Sequence, residues 1–164
     1  MAAKILIYDI ETSPNLGYLW RAWKANVSNK FLIREWTMLS FSAKWLGSDK
    51  IIYADNRYQS NPLDDTRIVK QLYSLLCQAD IVVAHNGIRF DNRRSNSRFL
   101  KLNLPPPPDY HEVDTLIEAR KRFDLPHNSL DGLAKYLGLK PKYASPKFQG
   151  EELWLQCMAG NIEA

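Results

Sequence analysis

Apolar and polar positions along the chain follow two rhythms in turn. Ile5, Leu6, Ile7 and Tyr8 form a short branched and aromatic run that predicts a buried strand. Thr37 to Leu46 and Lys50 to Ala54 are β-prone runs around the polar turn Gly47-Ser48-Asp49, which predicts a hairpin. A second buried strand is predicted at Ile81 to Ala84, leading into His85-Asn86-Gly87, and a short one at His111 to Thr115. Between the strands the period lengthens to that of a helix. Asp64 to Gln78 carries acids in its first turn and lines Ile68, Leu72, Leu75 and Leu76 along one face. Phe90 to Asn103 predicts another helix, with Asp91 in its first turn. Phe99 and Leu102 mark its inner face, and Arg94, Arg98 and Lys101 the opposite one. Asn92 and Ser95 fall on the Phe99 side, in conflict with a packed aliphatic face. Pro105 to Pro108 end that helix in a stiff linker.

Three more helices follow: one through Arg122, one over Ser129 to Leu137 stopped by Gly138, and one near Glu151 to Met158. Thr12 to Glu35 has no clean period and carries Tyr18, Trp20, Trp23 and Phe31 among Arg21, Lys24, Lys30 and Arg34. Those rings either stack nucleobases beside phosphate-holding cations or cap the sheet as core. Lys135, Lys140, Lys142 and Lys147 form a basic run that is either a solvated face or a phosphate track. A hairpin beside the first strand, with later strands joined through helices, implies an α/β fold. Its centre is a mixed β-sheet flanked by helices. The chain reads as a single domain over 1–164, without internal repeats.

Composition changes this picture little. A chain of 164 residues can bury a substantial core, and its formal charge of +4 permits an anionic partner without requiring one. Cys77 and Cys157 stand beside apolar neighbours and read as small buried hydrophobes in a reducing compartment. No signal peptide and no apolar run of membrane-spanning length is present, so a soluble, cytoplasmic protein is expected.

The chemistry gathers at the ends of the two buried strands. Asp9 and Glu11 are two apart, so a strand projects them from one face. Two anions held that close repel and lose hydration, a cost that a cation offsets. Oxygen-only ligands suit a hard divalent ion such as Mg²⁺ or Mn²⁺. The second strand delivers His85 and Asn86 to the same edge, with Asp91 just beyond. Ligands of such sheets collect outside the strands' carboxyl ends.

DIET followed at a distance by HNGxxFD resembles the first two motifs of the DEDD 3′–5′ exonucleases, on the ribonuclease H-like fold. VDTL and SLDGLAKYLGL are similar to the segment that follows in that superfamily, and DIETSPNLGY and KWLG resemble its phage and bacterial branch of predicted exonucleases. The resemblance implies that Asp9, Glu11 and Asp91 are catalytic and bind two Mg²⁺ or Mn²⁺ ions. Ions about 4 Å apart would stabilise the attacking hydroxide and the leaving 3′ oxygen. Thr12 would lie against the terminal nucleotide, and His85, Asn86 and Phe90 would shape the pocket. Arg94, Arg98 and Lys101 would guide a single strand of DNA, with RNA the alternative. For His85 a purely structural role, closing the strand, stays open.

One element of the family pattern is absent. Its third motif pairs a Tyr or His with an Asp on a final helix, and the acids after Gly150 are Glu151, Glu152 and Glu163. The expectation is an exonuclease core lacking the C-terminal helix, or a binding module that keeps the fold without the chemistry. His111 and Asp114 are expected to be structural. A phosphatase with an aspartyl nucleophile fits poorly, because such enzymes need a second Asp where Glu11 stands.

Overall fold

The first strand, β1 (Ile5–Thr12), is the middle strand of a mixed five-stranded sheet. The computed structural model describes residues 2–21, 23, 27–140, 147–148, 150–161 and 163. A two-residue strand β2 (Leu16–Gly17) pairs with β3 (Leu32–Arg34) in a separate ribbon. The hairpin strands β4 (Met38–Trp45) and β5 (Ile51–Asp55) follow. Helix α1 (Thr66–Leu76), β6 (Ile81–Ala84), helix α2 (Asp91–Lys101) and β7 (His111–Asp114) come next. Helices α3 (Thr115–Arg122), α4 (Leu130–Tyr136) and α5 (Glu151–Met158) complete the order. The main sheet runs β5-β4-β1-β6-β7, with β1 antiparallel to β4 and parallel to β6. The expected mixed α/β sheet is the one found.

Strand alternation builds the core. Leu6, Tyr8 and Ile10 of β1 are buried while Ile7 and Asp9 are exposed. Phe41, Ala43, Ala54, Val82 and Ala84 extend the buried face across the sheet, and Ile68, Val69, Leu72 and Leu76 of α1 pack on it. Tyr73 and Phe99 meet edge-on at 5.2 Å, joining α1 to α2. Burying one such aliphatic side chain stabilises by roughly 1.5–3 kcal/mol.

Three departures from expectation matter. First, β1 does not stop at Tyr8. It continues through Thr12, with Asp9 opposite Ser42 and Glu11 opposite Ser40 on β4. Asp9 and Glu11 therefore stand within a strand, held by its ladder. Second, the long segment after β1 contains the β2–β3 ribbon. A Cβ on Gly17 would lie 2.8 Å from the Phe31 carbonyl oxygen, so glycine permits that pairing. Its rings do not cap the sheet: Tyr18, Trp20 and Trp23 are 69%, 90% and 78% exposed. Lys24 lies outside the described residues, as does Lys142 of the basic run.

Third, Arg98 does not share an outward basic face with Arg94 and Lys101. It is buried and ion-paired to the buried Asp65 at 2.5 Å. Asp65 also accepts the Met38 backbone N–H at 2.8 Å, so the pair ties α2 to the start of β4. Within the basic run, Lys135 pairs with Asp131 and Lys147 with Glu163, which favours a solvated face there. Cys77 and Cys157 are free thiols of intermediate burial, less enclosed than expected. Among the described residues no helix is long and apolar enough to cross a membrane.

Candidate functional site

Parallel pairing of Ile5–Ile7 with Ile81–Val83 brings the carboxyl ends of β1 and β6 to one edge of the sheet. Beyond Ile7 that side of β1 has no strand partner in β6, and Asp91 fills the place. Its Oδ1 accepts the Ile10 backbone N–H at 3.0 Å. Asp91 is buried, and that burial pushes its carboxyl up to about 6. The Ile10 N–H pulls the other way, while the charges of Asp9 and Glu11 add to the rise. Three acids from segments far apart in sequence thus share one electrostatic neighbourhood.

A cleft of about 600 Å³ opens beside Asp9 and Glu11, lined by these two, His85 and Phe90 and, from across the gap, Leu130, Asp131 and Lys140. The donor set suits a hard cation in kind, being carboxylate oxygen throughout. Its spacing does not yet match. Among the described residues no three His, Cys, Asp or Glu side chains are gathered closely enough to hold a metal ion. The Asp91 carboxylate is engaged by Ile10 instead.

The polar residues of α2 find partners along β1. The Tyr8 hydroxyl donates to Asn92 Oδ1 at 2.6 Å. Arg94 Nη1 donates to Thr12 Oγ1 at 2.9 Å. The side chains of positions 8 and 12 thus meet Asn92 and Arg94, while position 10 meets Asp91 through its backbone N–H. The apparent conflict at Asn92 is therefore a designed contact with a tyrosine. Ser95 is also fully buried. Lys101 stays on the surface, paired with Glu35.

The turn after β6 is rigidly specified. Asn86 adopts φ 68°, a left-handed conformation that asparagine tolerates. A Cβ on Gly87 would lie 2.5 Å from the Ala84 Cβ, so only glycine fits there. His85 has partners at both ring nitrogens: Thr115 Oγ1 at 3.0 Å and the Asn128 carbonyl at 3.0 Å. That arrangement supports its structural role. Asp114 is structural too, as expected. Its Oδ1 accepts N–H groups of Asn86 and Leu116, and its Oδ2 that of Ile88.

Sequence reasoning passed over Asp65, Tyr8 as a polar anchor, Trp36 and Asp131. Asp65 carried a usable signal, an acid at a helix start. Trp36 carried none, since its role depends on Arg94 arriving from a distant helix.

The architecture defines a class, the α/β proteins with a ribonuclease H-like mixed sheet. Within it, the family B DNA polymerase from the hyperthermophilic archaeon Pyrobaculum calidifontis is similar over 99% of this chain, with a TM-score of 0.64 and 15% identity. The match covers 23% of the polymerase chain, and at this identity it shows the fold. No protein-family model and no curated protein matches the chain.

Proposed function

We propose that the protein is a metal-dependent 3′–5′ exonuclease acting on a single-stranded nucleic-acid end. In this reading Asp9, Glu11 and Asp91 hold Mg²⁺ or Mn²⁺. The observation that carries it is the Asp91 carboxyl, raised to about 6 by burial and by the charges of Asp9 and Glu11. Acids that disfavour one another's ionisation, two of them lining a cleft, are the kind of group that a divalent cation would stabilise. Likeness to a DNA polymerase in fold supports a nucleic-acid substrate, with DNA the first candidate and RNA the second. Bound divalent ions would neutralise the phosphodiester and lower the pKa of an attacking water. The chain's own residues do the positioning. Ile10 fixes Asp91 at the strand edge, Phe90 supplies an apolar wall, and His85 secures the far side of the cleft.

A second reading, a nucleic-acid-binding domain without hydrolysis, is favoured by the absence of a tight three-acid group among the described residues. One experiment separates the two. A 5′-labelled single strand, DNA or RNA, is incubated with the protein in Mn²⁺ and in EDTA. The exonuclease reading expects a ladder shortening from the 3′ end in Mn²⁺ only, abolished by Asp9→Ala. A stable complex with no shortening selects the binding module. Neither binding nor shortening overturns both.

A further inference from the structure

Arg94 is a half-buried cation with no carboxylate at ion-pair distance among the described residues. Further along the same helix Arg98 pairs with Asp65 and Lys101 with Glu35. Two aromatic rings flank it instead. Its guanidinium carbon lies 4.6 Å from the Trp36 ring centre and 4.7 Å from that of Phe90. One N–H goes to Thr12 Oγ1. Burial lowers its proton affinity, with no neighbouring charge offsetting that loss. Ring contacts compensate part of the desolvation, and the fork has further N–H donors beyond the one that Thr12 takes.

We infer that Arg94 is an anion receptor for one backbone phosphate of a nucleic-acid strand, held in a fixed plane by Trp36 and Phe90. The inference rests on the functional reading above and makes it specific. The strand is gripped by a single oriented guanidinium, where the sequence had suggested a broad face including Arg98. A planar fork matches two phosphate oxygens at once, and contacts to two rings restrain its movement. Location supports a substrate phosphate over a stray ion. Phe90 touches Arg94 and also lines the cleft containing Asp9 and Glu11, so one ring joins the guanidinium to the wall of that cleft. Contact is to phosphate alone, so this site does not distinguish bases.

The test measures binding without cleavage. Affinity of full-length protein for a labelled oligothymidine is followed by fluorescence anisotropy in EDTA across a salt series. Removing one phosphate contact from a single strand lowers the slope of log K against log salt by about 0.7. Arg94→Gln is expected to lose that slope and to weaken binding about tenfold at low salt. Arg94→Lys should keep the slope, having kept the charge, yet bind less tightly than wild type. Lys70→Gln, on the exposed side of α1, should match wild type in both. The wild-type Arg94 Nε–H resonance should also shift on adding oligothymidine, which needs no variant to fold. An unchanged slope in Arg94→Gln, a stationary resonance, or no binding by wild type overturns the inference. Cleavage in Mn²⁺, scored separately, decides the exonuclease reading whichever way binding falls.

Discussion

The Tyr8 hydroxyl and the Asn92 amide oxygen meet at 2.6 Å inside the protein, joining the central strand to α2. Burial raises the Tyr8 pKa well above its ordinary value, so the phenol remains a donor throughout the working pH range. Tyr8→Phe leaves Asn92 buried without its partner. The expected loss is about 1–3 kcal/mol, read from urea unfolding. Tyr8→Phe combined with Asn92→Leu removes both polar groups and should recover most of it. A double variant no better than the single would show that the hydrogen bond is not what holds this contact.

Arg98 and Asp65 form the deeper tie, with side chains 8% and 1% exposed. Arg98→Met deletes one charge and strands the other, a change that costs about 3–5 kcal/mol at buried pairs. Arg94→Met, which leaves no buried carboxylate behind, should cost clearly less. Denaturation midpoints of the two variants, measured side by side, check the order. If Arg94→Met proves the more damaging, the assignment of Arg98 to the core and Arg94 to the site is inverted.

Asp91 makes stability depend on pH. Its carboxyl moves from the ordinary 3.8 to about 6 in the fold. A carboxyl raised on folding favours the folded state most where both forms are protonated, below about pH 4. That advantage is lost as pH rises through about 6, and the change corresponds to about 3 kcal/mol. Asp91→Asn removes this dependence. Its stability relative to wild type should therefore grow by about 3 kcal/mol between pH 4 and pH 7. Under the metal reading, Mn²⁺ should raise the wild-type melting temperature at pH 7.5, much less at pH 5, and not at all in Asp91→Asn. A difference between variant and wild type that is flat with pH would mean Asp91 titrates normally.

Strand and helix positions were legible because burial follows period. The strand at Ile81–Ala84 was read to the residue, and the hairpin strands and α2 to within about two. That Asp9 and Glu11 lie two apart on one strand, and that Asp91 follows a strand ending at the same edge, was legible from spacing and order alone. What could not be read depends on pairings across the sequence. A helical wheel places Arg98 by angle alone, and nothing local announces that Asp65, 33 residues earlier, waits inside the core. Asn92 looked misplaced for the same reason, since its partner is 84 residues away on β1. The exposed rings of the Tyr18–Trp23 stretch show the converse: aromatic composition alone cannot distinguish a core from a surface.

His85 presents a last and separable prediction. Nε2 faces the Asn128 carbonyl, which can only accept, so that nitrogen carries a hydrogen. In the neutral ring Nδ1 then accepts from the Thr115 hydroxyl. The imidazole thereby ties the end of β6 to the start of α3 and to the segment entering α4. Helix α4 brings Leu130 and Asp131 to the cleft wall, so the tie determines how firmly the cleft is closed on that side. His85→Ala cuts both bonds at once. Amide hydrogen exchange across α4 should accelerate by roughly an order of magnitude, following a local loss of about 1–2 kcal/mol. Exchange in α1, which makes no contact with His85 through these bonds, should be unchanged. Equal acceleration in α1 and α4 would signal global destabilisation, and unchanged exchange in α4 would remove the histidine from any role in shaping the cleft.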